Sequence, residues 1–116
     1  MYLIFDTETT GLPKKWNAPV SDVNNWPRCV QLAWQVHDSL GNCIENNDFL
    51  IKPVGYNIPY DSEKIHGIST ELAEKDGHDL LDVLNQFNEA VKKSKFVIGH
   101  NVKFDLNICL LYTSDA

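Results

Sequence analysis

Two carboxylates with the spacing to share one cation lie near the N-terminus, in Asp6-Thr7-Glu8. In an extended segment alternate side chains share a face, so Asp6 and Glu8 can present oxygen to one point. Hard carboxylate oxygens suit magnesium or manganese. Alone the spacing carries little weight, because a solvated strand end produces it far more often than a site does. A second cluster is Gly99-His100-Asn101-Val102-Lys103-Phe104-Asp105. Gly99 stops an apolar run, and Asp105 falls early in the helix that should follow, where an acid most often serves the helix dipole. The two clusters mean more together. Each places acids just beyond the C-terminal end of a predicted strand, the edge at which open α/β sheets assemble sites. Three converging carboxylates repel one another unless cations lie between them.

The elements that must position these acids follow from the hydrophobic pattern. Residues 2–5 form an apolar run ending at Asp6 and predict a buried strand. Residues 14–27 turn polar around Trp16 and Trp26 and predict a long ordered loop. Indoles in such a loop pack back onto the domain or stack on nucleobases. Residues 29–37 alternate as a strand, residues 39–42 give a turn, and residues 43–51 return as the second arm of a hairpin. A short helical turn is expected over residues 61–65, just before His66-Gly67-Ile68. Ser69 is placed to start a helix that Gly77 ends. Leu80, Leu81, Leu84, Phe87, Ala90 and Val91 recur at helical spacing, with His78 at the opening of that helix. Residues 96–98 predict a second short, buried, central strand, and residues 102–111 a last helix. Strand, hairpin, helices, strand, helix is the order of an α/β mixed sheet with flanking helices.

Composition narrows the class. The chain has 116 residues, 43% hydrophobic and 22% charged, which suits one small globular domain. A formal net charge of −6 argues against affinity for nucleic acid by bulk phosphate neutralisation. It leaves room for a site in which bound cations supply the positive charge. Three cysteines, Cys29, Cys43 and Cys109, form no paired framework and are expected to be small buried thiols. With no signal peptide and no long apolar run, the sequence reads as cytoplasmic and free of the membrane.

The clusters carry a family resemblance. Phe5-Asp6-Thr7-Glu8-Thr9-Thr10-Gly11-Leu12 resembles the first exonuclease motif of the DEDD family. Ile65-His66-Gly67-Ile68 resembles its HGI element, and Gly99-His100-Asn101 with Phe104-Asp105 resembles its second motif. Among its members, proofreading exonucleases of the DNA polymerase III epsilon type are the most similar. The insert at residues 14–28 is similar to versions fused to the N-terminus of a bacterial polymerase III alpha subunit. The resemblance covers residues 1–108.

The resemblance implies a ribonuclease H-like fold and removal of nucleotides from a 3′ end. It implies that Asp6, Glu8 and Asp105 are the catalytic metal ligands for two Mg2+ or Mn2+ ions, with Asp6 bridging both. It places Thr9, Thr10, Gly11 and Leu12 around the terminal nucleotide, Asp61 at its sugar, His66 near the substrate, and Asn101 and Phe104 on the floor. The implied partners are a single-stranded or frayed 3′ end, DNA in preference to RNA, and a replicative polymerase in cis or in trans. The family's fourth carboxylate, in a later His-x-x-x-x-Asp or its tyrosine counterpart, has no match here. His100 and Asp105 have that spacing, but the embedded Asn101 and Phe104 assign them to the second motif. His37 reads as structural or surface.

The ribonuclease H-like domain is therefore expected to be incomplete at its C-terminus, residues 1–108 being a partial exonuclease domain. The octapeptide at residues 109–116 reads as a translated sequencing adapter and is expected to be non-native. The fragment itself is expected to be inactive. Competing readings are an RNA-trimming exonuclease of the same family, a non-catalytic nucleic-acid or polymerase-docking module, and acids that are merely solvated strand ends.

Overall fold

The computed structural model describes residues 1–19, 21–22 and 24–110. Strand β1 spans Tyr2–Thr9, β2 Cys29–His37 and β3 Cys43–Leu50; helices α1, α2 and α3 span Tyr60–His66, Thr70–Asp76 and Leu80–Lys92; β4 spans Phe96–Ile98 and α4 Val102–Leu110. Among the described residues the sheet has the order β3-β2-β1-β4. β1 pairs antiparallel with β2 and parallel with β4, and β2 pairs antiparallel with β3, so the sheet is mixed.

β1 runs further than its apolar residues. Asp6 and Glu8 lie inside the strand, opposite Ala33 and Gln31 of β2, rather than beyond its end. The ladder to β2 carries the extended backbone past the point where hydrophobicity stops. Only one face of β1 is covered: Leu3, Phe5 and Thr7 are buried, while Tyr2 and Ile4 are 39% and 45% exposed.

The expectation that 96–98 is a buried central strand is overturned. β4 lies at the edge of the sheet among the described residues, with Phe96 and Ile98 about half exposed. Three consecutive apolar residues do not say whether one face is covered or two.

The covered face packs on α3. Val83, Leu84, Phe87 and Ala90 recur at three- and four-residue steps and form its buried stripe. Phe87 meets Phe5 at a ring-centroid distance of 5.1 Å and Trp34 at 5.4 Å. Asp79 caps the helix by accepting from the Leu81 N–H. His78, expected to open this helix, instead bridges to Ile51 and accepts from the Lys52 N–H at 2.9 Å. The backbones close so tightly there that a Cβ on Gly77 would lie 2.1 Å from the Ala73 carbonyl oxygen and 2.6 Å from the Lys52 nitrogen. That crowding is why glycine occupies the position.

The Trp34 indole N–H donates to Glu45 at 2.9 Å, and Lys93, just past α3, reaches the same carboxylate at 3.0 Å. Val30, Ile58, Ile68 and Ala73 form a second, smaller core that seats α2 and the residues flanking α1 against β2. Cys29 and Cys109 are buried, as expected for small packing thiols, but Cys43 is exposed at the start of β3. Burial pushes the Cys109 thiol up to about 12 and raises Cys29 as well, so both stay protonated and unreactive. No helix among the described residues is long and apolar enough to cross a membrane.

Candidate active site

The site is built where the C-terminal half of β1 meets the start of α4. Strand alternation puts Asp6 and Glu8 on the open face and Thr7 between them on the covered one. The Thr7 hydroxyl donates to Asp105 at 2.5 Å, and Asp105 is 4% exposed. That hydrogen bond joins α4 to β1 through a buried polar pair. Asn101 starts α4 by accepting the Phe104 N–H on its side-chain oxygen at 3.4 Å. Gly99 permits the turn into the helix, since a Cβ there would come within 3.3 Å of the Phe5 carbonyl oxygen.

Burial raises the Asp105 carboxyl above the usual carboxylate range. The Thr7 donor and His100 oppose that shift, while the negative charges of Asp6 and Glu8 add to it. The three acids therefore share one electrostatic neighbourhood. Among the described residues, however, no three His, Cys, Asp or Glu side chains converge tightly enough to form a metal cluster. The cause is directional: Asp105 is turned to Thr7, whereas Asp6 and Glu8 face away from the core. The donor chemistry still fits a hard cation, since all three groups offer carboxylate oxygen and repulsion among them is relieved by positive charge.

The loop after β1 is held at several points. The Thr9 hydroxyl donates to the Gly11 carbonyl at 2.7 Å. Thr10 accepts the Arg28 N–H on its hydroxyl at 2.9 Å, and its own N–H donates to the Arg28 carbonyl at 3.0 Å. The buried Ser62 hydroxyl donates to the Thr10 carbonyl at 2.5 Å, tying α1 to this loop. Leu12 is 72% exposed beyond it. Asp61 is exposed in the first turn of α1.

The His66-Gly67-Ile68 element has a local explanation. His66 Nδ1 accepts the Ile68 N–H at 3.0 Å, Gly67 takes the left-handed conformation that ends α1, and Ile68 enters the second core. With Nδ1 an acceptor, the neutral ring carries its proton on Nε2, and that buried nitrogen has no protein partner among the described residues. A buried donor without a partner is what a substrate oxygen would satisfy. Thr7 and Ser62 are the polar residues that sequence reasoning missed. Thr7 was detectable, because strand alternation turns it inward between two outward acids. Ser62 carried no signal of its own.

With this geometry in place, the comparisons decide the family. The model of the RNase T exonuclease family, described as "Exonuclease", matches residues 3–114. The chain belongs to this family of DEDD 3′→5′ exonucleases. Its members generally use divalent metals. No curated protein matches the chain. Among solved structures, E. coli Exonuclease I in complex with a dT13 oligonucleotide is similar at 25% identity and a TM-score of 0.73, over 93% of this chain and 22% of that one. A product-bound structure of exonuclease I gives 25% identity and a TM-score of 0.73 over 93% and 24%. An ExoI/SSB-Ct complex gives the same identity and score over 93% and 22%. This chain thus spans under a quarter of the length of those proteins. The mixed sheet with flanking helices is the ribonuclease H-like fold of Exonuclease I.

Proposed function

We propose that this chain supplies the front part of a cytoplasmic 3′→5′ exonuclease that trims single-stranded or frayed DNA ends, and that its role beside a replicative polymerase is proofreading. The observation that carries the reading is the Thr7–Asp105 hydrogen bond at the junction of α4 with β1, which brings the third acid against the strand that carries Asp6 and Glu8. The choice of DNA draws on the oligodeoxynucleotides bound to Exonuclease I.

Asp6, Glu8 and Asp105 would hold two magnesium or manganese ions. When bound, such a pair supplies an acidified water and stabilises the leaving 3′ oxygen. Asp6 and Glu8 contribute carboxylate oxygens from the open face. Asp105 contributes a carboxyl that Thr7 orients. The loop of Thr9, Thr10 and Gly11, pinned by Ser62 and Arg28, fixes the wall against which a terminal nucleotide rests, with Leu12 at its rim. His66 Nε2–H offers a donor to a substrate oxygen, and Asp61 an acceptor to a terminal sugar. Asn101 and Phe104 set the floor by fixing the first turn of α4.

The 116 residues by themselves are proposed to hydrolyse poorly, because these three acids leave part of a two-ion site to other groups. We also hold to residues 109–116 being non-native; a continuous native reading frame through Ala116 at the coding locus would overturn that. Calorimetric titration with Mg2+ and Mn2+ tests the site. Binding that Asp6→Ala removes is expected, and heats equal in the two proteins would sink the reading. Hydrolysis of end-labelled DNA and RNA by the domain joined to its full site then tests substrate choice, with faster DNA cleavage expected.

A non-catalytic docking module is the second reading. It draws on the turn of Asp105 toward the buried Thr7 hydroxyl while Asp6 and Glu8 lie on the open face. Nucleic-acid binding indifferent to divalent cations would favour it.

A further inference from the structure

The loop between β1 and β2 holds one indole in an unusual position. Trp26 is buried, and its Nε1–H donates to the Pro19 carbonyl at 3.1 Å. Trp26 stacks near Phe104 at 6.4 Å with 28° between planes. Trp16 meets Trp26 at 6.5 Å and 89°, and Phe104 at 5.4 Å and 61°. Neither neighbour lies flat on it, and Trp16 remains 51% exposed.

The backbone under that indole is fixed. Asn25, 7% exposed, accepts the Lys15 N–H at 2.6 Å and donates to the Lys15 carbonyl at 2.9 Å. The Lys14 N–H donates to the Asn25 carbonyl at 3.1 Å. A buried amide thus clamps the residue just before Trp16 on both sides. Packing on Trp26 and Phe104 covers about half of Trp16 and leaves the rest open to solvent. A cavity of about 130 Å³ opens beside the ring, lined by Trp16, Trp26, Asn101, Lys103, Phe104 and Asn107. Asn101 starts α4, and Lys103 and Phe104 come from its first turn, the turn that also carries Asp105. Aromatic rings, amides and one cation beside such a site match a planar base with its phosphate.

We propose that Trp16 is a base-stacking platform for a nucleotide of the bound single strand, with Lys103 against the adjoining phosphate. This rests on the exonuclease reading and adds a binding residue to it. The platform favours base-bearing over abasic strands and is indifferent to which base it meets, because every base offers a π face.

Fluorescence reads this directly, since Trp26 and Trp34 are 4% and 2% exposed and Trp16 is the accessible indole. The 116-residue chain is titrated with oligothymidylate, and with the same strand made abasic at its two 3′-terminal positions, in Mg2+. Oligothymidylate should quench emission and bind about tenfold more tightly than the abasic strand. By anisotropy of a labelled strand, Trp16→Ala should lose about tenfold in affinity together with that preference, and Trp16→Phe should keep most of both. Trp16→Ala that binds within twofold of wild type and retains the preference overturns the platform alone. So does a wild-type chain that treats the two strands alike, a comparison that needs no variant. A chain that binds Mg2+ calorimetrically but no strand also overturns the platform. A chain that binds neither overturns the exonuclease reading, and the platform falls with it.

Discussion

The two faces of β1 differ in nearly everything but their backbone. One face presents Leu3, Phe5 and Thr7 to α3 and α4 and is closed. The other presents Tyr2, Ile4, Asp6 and Glu8 and is open. The closed face fixes where the strand lies; the open face carries the two acids proposed to bind cations. Thr7 is the exception on the closed side, since its hydroxyl orients Asp105 across the junction. Stability and function are thus separated by a one-residue alternation, and substitutions can test how cleanly.

The largest effect is expected on the closed side. Phe87→Ala removes a ring that touches both Phe5 and Trp34, and should cost about 3–5 kcal/mol in urea unfolding. A loss under about 1 kcal/mol would mean that α3 does not anchor this face. Next is Thr7→Val, which keeps the shape and leaves the buried Asp105 carboxyl without its donor. It should cost about 1–3 kcal/mol, and unchanged stability would remove the junction from the comparison.

Glu45→Gln comes third, at about 1 kcal/mol at neutral pH. The Trp34 indole donor, followed by the hydrogen bond and charge of Lys93, holds Glu45 below its ordinary value. A lowered folded pKa gives stability that is present above the unfolded value and lost as pH falls through the folded one. The melting temperature of wild type should therefore converge on that of Glu45→Gln below the ordinary carboxylate range. A gap that persists in strong acid would assign the effect to packing. The smallest effect on stability belongs to the open face: Asp6→Asn should change unfolding by no more than about 0.5 kcal/mol. A larger loss in the cation-free protein would show that Asp6 supports the fold.

Much of this was legible in the sequence. Periodicity located α3 because its buried stripe is long and strictly spaced, and Ser39-Leu40-Gly41-Asn42 marked the hairpin. The family motifs located the acids, and His66-Gly67-Ile68 proved to be a helix end that anchors a core. What could not be read was sidedness. Phe96, Val97 and Ile98 are equally apolar, yet the sheet edge leaves the first and last half exposed. The direction of Asp105 was hidden for a similar reason: its spacing from Asn101 places it on α4, but only the packed junction turns it toward Thr7.

The edge strand has a practical consequence. Tyr2 stacks on Phe96 at 5.4 Å, and Ile4 lies opposite Ile98, so four half-exposed apolar side chains line the open face two residues from Asp6. Among the described residues this edge has no further strand, and an edge with such a stripe is a template for pairing. For this chain the stripe predicts association that rises with concentration, which sedimentation across a dilution series would read.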